Sequence, residues 1–256
     1  MITKFNTKRM LKSECATQRS NVQIIRTNCL GAVLIMVAMM TTGCSTSKSP
    51  NYYSLIPQVV PSISRQVRVI EVLPVGLADR LNRIPLVVQE VSGKSNVLND
   101  ERWTSTLSAE LRDGLSAGLQ QKLGAVDRYN SGMTGGQAAY RIAADFSRFD
   151  IVNRSLSSIN KDNGQREVEV AVAWTIKYDD PNRSLNAINT SHPMKVTGQM
   201  SCRMTFNQAV VSNSNQMVDT VNTLRQSLGQ VVNAVAASVL AVESKSRVAV
   251  ANVICA

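Results

Sequence analysis

The chain has 256 residues, enough for one large domain or two small ones, and 44% hydrophobic with 18% charged residues is ordinary for a folded protein. Aromatics make up only 4%, too few for a stacked groove that holds single-stranded nucleic acid. The net charge of +10 is shared evenly, with six bases against Glu14 in residues 1–43 and 22 bases against 17 acids in residues 44–256; without a Lys/Arg cluster on one element no nucleic-acid partner is expected, and what remains is a mild attraction to anionic lipid head groups.

Residues 1–43 read as a lipoprotein signal peptide. A basic flank leads into Leu30–Met40, LGAVLIMVAMM, 11 residues without a polar side chain. A membrane-spanning helix needs about 20, and Arg26 and Asn28 block extension backwards. A short apolar run followed by small residues and a cysteine is the pattern of a cleaved signal. The tetrad Thr41-Thr42-Gly43-Cys44 matches a lipobox at its last two positions, with Thr41 in place of the preferred leucine. Cys44 is then the first mature residue, its sulfur carrying diacylglycerol, and multiple acyl chains anchor durably. Ser45, where aspartate signals inner-membrane retention, favours the outer membrane. Cys15 and Cys29 leave with the signal. Cys202 and Cys255 remain, either a disulfide in an oxidising compartment or two separate thiols.

Residues 44–65 are Ser/Pro-rich and read as an acylated N-terminus and short linker. Strand signals follow at 66–73, QVRVIEVL, apolar on both sides and so central, and at Leu86–Val91. Pro74 ends the first, and SGKSN (92–96) is a turn. A helix is expected from Asn99 or Asp100, with Trp103, Leu107, Leu111, Leu115, Leu119 and Leu123 as its core stripe and Gly124 as its stop. A short strand is expected at 125–129 and a plain glycine loop at 131–136. Alternation predicts long strands at 138–152, 166–180 and 194–206, joined as a meander. Residues 214–242 form a second helix, with Met217, Val221, Leu224, Leu228, Val231, Val235, Val239 and Val242 turned to the core. The expected fold is a two-layer α/β sandwich over 66–243: one mixed, mostly antiparallel sheet of about five strands with two long helices on one face. Residues 244–256 are a tail, either an edge strand or disordered.

No constellation for catalysis emerges. His192 is a lone loop histidine, no metal set has the right spacing, and no Gly-x-Ser-x-Gly elbow is present. Asp79, Asp179 and Asp180 sit in loops beside bases. The chain is read as a non-enzyme without cofactor or metal.

Several stretches together resemble the PqiC-type family of paraquat-inducible, ABC-transport auxiliary lipoproteins. They are the lipobox, PNYYSL, VRVIEVLPVGLADRLNRIPLVV, NDERWTSTLSAELRDGLSAGLQQKLG, YRIAADFSRFDI, VEVAVAWTI and the final helix, covering residues 50–243. The most specific pieces are V-x-V-x-x-V-L-P-V-x-L-x-x-x-L-x-R, which places Pro74, Leu81 and Arg83, and the Arg102-Trp103 pair at the start of the first expected helix. Asp79-Arg80 is followed by Leu81, and the proline that often comes next in the family stands only at Pro85. The resemblance implies a structural or partner-contact role for these five residues. It implies a lipid-anchored, periplasm-facing protein of the outer membrane that docks on tube-forming MCE-domain proteins, and through them on an ABC permease and ATPase or an integral membrane partner, as a ring-forming homo-oligomer in lipid transport. A ligand- or lipid-binding periplasmic lipoprotein outside such a complex is the alternative.

Overall fold

The computed structural model describes residues 49–62, 67–129, 139–154, 165–179, 198–211 and 215–256. The chain divides into Met1–Ser49 and Pro50–Ala256, and the second unit is described here. Its strands and helices are, in order, β1 (Asn51–Tyr53), β2 (Arg68–Val72), β3 (Gly76–Leu77), β4 (Pro85–Glu90), β5 (Ser95–Trp103), α1 (Leu107–Leu123), β6 (Ala125–Asp127), β7 (Ala139–Asn153), β8 (Arg166–Asp179), β9 (Gly198–Ala209), α2 (Gln216–Ser244) and β10 (Val253–Cys255). Cys44 and the rest of the signal region, the glycine loop at 131–136, His192 and residues 194–197 lie outside the described residues.

β7 is the spine of the sheet. One of its edges pairs antiparallel with β8 along its whole length, and β8 pairs antiparallel with β9. The other edge takes β2, β3 and β4 in turn, all parallel to it. Residues 68–90 therefore run beside β7 as one broken strand, with Pro74 at the first break and the loop 78–84 at the second. β4 turns back through Gly93 (φ +85°) into antiparallel β5, and β1 pairs parallel with β5 at the edge.

Period-two alternation puts Val168, Val170, Val172, Trp174 and Ile176 of β8 in the core, with Ile142, Phe146 and Phe149 of β7 beside them. Both helices cover this face. α1 packs over β2 and β6, α2 over β8 and β9, and the helices pack on each other. The leucine stripe of α1 from Leu107 to Leu123 is buried, as are Val221, Leu224, Leu228, Val231, Val235 and Val239 of α2. Asn215 caps α2 by accepting from the amides of Met217 and Val218 at 3.0 and 3.3 Å. The opposite face of the sheet is polar: Arg154 bridges Glu167 and Glu169, Arg148 reaches Glu169, and Glu71 takes Arg128 and Arg141.

Three sequence expectations are corrected. Among the described residues the sheet has ten strands, not about five; β1, β3 and β10 are only two or three residues long, too short to show an alternation. The first helix starts at Leu107, not at Asn99 or Asp100. Residues 95–103 are instead a strand, because pairing with β4 (Leu86 opposite Leu98) overrides the local capping signal, so Arg102 and Trp103 close β5 rather than open the helix.

The third correction concerns the linker. Residues 51–62 are bound to the body. After β1 the chain continues as an extended strap in the crevice between α1 and α2, with Leu55, Pro57 and Val59 buried and Ile56, Gln58 and Val60 outside. Its backbone is tied at Leu55 (amide to Glu110 Oε2, 3.0 Å), Val59 (amide to Gln121 Oε1, 3.3 Å), Ser62 (amide to the Lys122 carbonyl, 2.8 Å) and Ser54 (carbonyl to Arg225 Nε, 2.9 Å). Glycines on the helices make the room. A Cβ at Gly114 would stand 2.9 Å from the Leu55 carbonyl oxygen, and one at Gly118 would stand 2.7 Å from Val232 and 3.2 Å from Pro57.

Candidate functional site

Four of the five motif residues meet at one corner of the body. The loop 78–84 folds into a turn, with the amides of Leu81 and Asn82 donating to Ala78 and Asp79. Its far end joins β5: the Trp103 amide donates to the Ile84 carbonyl at 2.8 Å, and the next amide, of Thr104, donates to Tyr53 of β1 at 2.9 Å. Leu81 and Trp103 are buried, whereas Arg83 is exposed and Arg102 half-buried. The corner thus has an apolar inside and a basic outside. Pro74 is exposed in the β2–β3 break, after Leu73, whose amide donates to Ile142 of β7.

Two polar residues that sequence reasoning missed hold this corner. Thr106, at the N-cap of α1, makes no side-chain capping bond. Asn82 supplies it from the loop, its Oδ1 accepting from the Ser108 amide at 3.2 Å. Glu110 is buried in the first turn of α1. Its carboxylate accepts from the Leu55 amide and from the hydroxyls of Thr104 and Ser105, so one side chain joins the strap, the end of β5 and the helix. Its signal was present in the sequence: Glu110 lies three residues after Leu107, on the face of the leucine stripe. Nearby, burial first and then a bond and charge interaction with Glu101 push the Tyr53 hydroxyl up to about 12.

The other buried acids are similarly engaged. Asp127 takes Arg112 at 2.8 Å, Ser116 at 2.6 Å and the amides of Val72 and Tyr129. Asp150 takes Gln89 at 2.6 Å and Arg80 at 3.3 Å, and burial raises its pKa despite that arginine. Among the described residues no cluster of His, Cys, Asp or Glu could hold a metal ion. A groove of about 310 Å³ opens on the polar face of the sheet, lined by Leu73, Arg141, Ala143, Thr175, Lys177 and Gln199.

At the opposite edge of the sheet, Cys202 and Cys255 are joined by a disulfide. They face each other in the β9–β10 register. The flanking pair Ser201–Ala256 exchanges both backbone hydrogen bonds, so the cysteines occupy a non-hydrogen-bonded position, where side chains approach most closely.

No match to a curated protein was found. Two solved structures are similar to this chain, and the first shares its fold. The first, of a protein described as uncharacterized, has 17% identity and a TM-score of 0.50, over 75% of this chain and 99% of the other. The second, a Xanthomonas campestris protein of the family DUF330, has 15% identity and a TM-score of 0.47, over 76% of this chain and 98% of the other. A family model described as "ABC-type transport auxiliary lipoprotein component" matches residues 53–236, from β1 into the last third of α2. The chain belongs to the ABC-type transport auxiliary lipoprotein family.

Proposed function

We propose that this chain is a non-enzymatic, lipid-anchored component of an ABC/MCE-type intermembrane lipid transport system, acylated at Cys44 and held at the outer membrane facing the periplasm. It docks there on the periplasmic tube of an MCE-domain protein and so supports envelope integrity. The observation that carries this reading is the family match across almost the whole folded unit. The use of polar residues agrees with it: the buried carboxylates of Glu110, Asp127 and Asp150 are each bonded to neighbouring side chains or amides. That pattern ties loops and strands together and leaves these groups committed to structure rather than aimed at a substrate. The docking surface is assigned to the polar sheet face, and the protein assembles with copies of itself.

The test is crosslinking in intact cells followed by purification of the tagged chain. Recovery of an MCE-domain protein or its permease is expected. Capture of neither under conditions that retain the chain in the membrane would contradict the assignment. The alternative, a lipid-binding lipoprotein outside such a complex, predicts bound lipid in the purified protein, measured by mass spectrometry.

A further inference from the structure

Seven arginines of the described body are engaged with carboxylates: Arg68, Arg80, Arg112, Arg128, Arg141, Arg148 and Arg154. Arg83 and Arg102 have no ion-pair partner among the described residues, although Asp79 and Asp100 are close in sequence. Arg102 spends only its Nε, on the Asn99 carbonyl at 2.7 Å. Apolar residues stand beside these two cations. Arg102 stands opposite Tyr52 in the β1–β5 register and opposite Pro85 in the β4–β5 register. Cross-strand partners share a face, and Trp103 is buried on the helical side, so Tyr52, Arg102 and Pro85 form a row on the other side. Arg83 and Ile84 lead directly into Pro85. Tyr52 is 58% exposed and Ile84 43%.

We propose that Tyr52, Arg83, Ile84 and Arg102 form a bilayer-contact patch that seats this corner on anionic lipid head groups. The proposal rests on the reading above that Cys44 is acylated. Five residues separate Cys44 from Pro50, and an extended chain covers those six residue steps in at most about 22 Å. The strap fixes the chain from β1 onward, so that length bounds the distance from Cys44 to the start of the body. β1, which carries Tyr52, is therefore the part of the body held nearest the lipid. Tyrosine settles at the membrane interface with its ring in the apolar zone and its hydroxyl in water. A guanidinium without a carboxylate partner pairs with lipid phosphate in bidentate fashion. The two arginines thus favour anionic head groups, while Tyr52 and Ile84 supply the apolar contact.

The test uses the full acylated chain, purified from membranes and reconstituted into vesicles with or without phosphatidylglycerol, the acyl chains brominated near the head group. Tyr52→Trp supplies the reporter, and the buried Trp103 and Trp174 supply the baseline. Only protein that floats with the vesicles is compared. In phosphatidylglycerol vesicles the variant is expected to show roughly twofold more quenching than the Tyr52 protein. Adding Arg83→Glu with Arg102→Gln, or Arg83→Glu alone if the pair disturbs folding, removes most of that excess. An unquenched Trp at position 52 in floated protein overturns the proposal, as does quenching unchanged by the arginine variants. Loss of MCE-protein capture on Arg83→Glu, with position 52 unquenched, assigns the patch to a protein partner and also overturns it. Failure of the anchor reads differently: it is a Cys44→Ala protein that floats as well as the unaltered one.

Discussion

Glu110 carries more of the architecture than its place on a leucine-rich helix suggests. Truncation leaves the buried Leu55 amide without its acceptor and removes the acceptor of two part-buried hydroxyls. Glu110→Ala is expected to lower stability by about 3 kcal/mol, read from urea unfolding, and Glu110→Gln by less, since its carbonyl still accepts. Two other acids separate by pH. Arg141 first, and Arg128 with it, hold the Glu71 carboxyl below its usual 4.5 against the opposing effect of burial. A depressed carboxylate stabilises the fold above its unfolded value, and that contribution is lost as pH falls through the lowered value. Asp150 is raised from 3.8, chiefly by burial, so the native state binds the extra proton and stability falls as pH rises through the raised value. Glu71→Gln should therefore cost stability near pH 7 and little near pH 3, whereas Asp150→Asn should compare better with the unaltered chain near pH 7 than near pH 3. Urea midpoints at the two pH values check both, and an identical pH profile for either variant and the unaltered chain would contradict the assignment.

At the scale of elements, the glycines of α1 pose a sharp question. Alanine favours a helix over glycine by about 1 kcal/mol, so propensity alone predicts that Gly114→Ala and Gly118→Ala stabilise. The strap predicts the reverse at Gly114, where the new methyl meets not only the Leu228 side chain but also the Leu55 backbone, which cannot yield as a side chain does. We expect Gly114→Ala to cost about 2 kcal/mol, and Gly118→Val to displace the strap and speed proteolysis between Pro50 and Ser62. The strap also marks where the sequence was least legible. Leu55, Pro57 and Val59 alternate as a strand does, but Ser and Pro on either side give the composition of a linker, and only the helix crevice reveals the pattern. β5 was misread for a related reason: Asn99 and Asp100 are good caps locally, and the decision against them comes from β4, across a turn. The long stripes of α1 and α2 and the alternation of β7, β8 and β9 were legible, because each buries one face over a dozen residues or more.

At the scale of the whole molecule, the two sheet edges are finished differently. β1 closes one edge by pairing with β5, while β10 pairs with three residues of β9 and is fixed by the Cys202–Cys255 bond. The bond closes a loop of 53 residues in sequence, which corresponds to about 4 kcal/mol at most by chain entropy. Cys255→Ser is expected to lower stability by up to that amount while leaving the helices and the long strands folded, as read by far-ultraviolet circular dichroism and urea unfolding. Membership of a lipoprotein family calls for an acylated cysteine, and Cys44 is the one proposed. Metabolic labelling with radioactive palmitate tests that site most directly, with the Cys44→Ala variant beside the unaltered chain. Label in the unaltered chain and none in the variant is the predicted result. Label that persists in the variant, or is absent from both, would contradict a lipid anchor at Cys44.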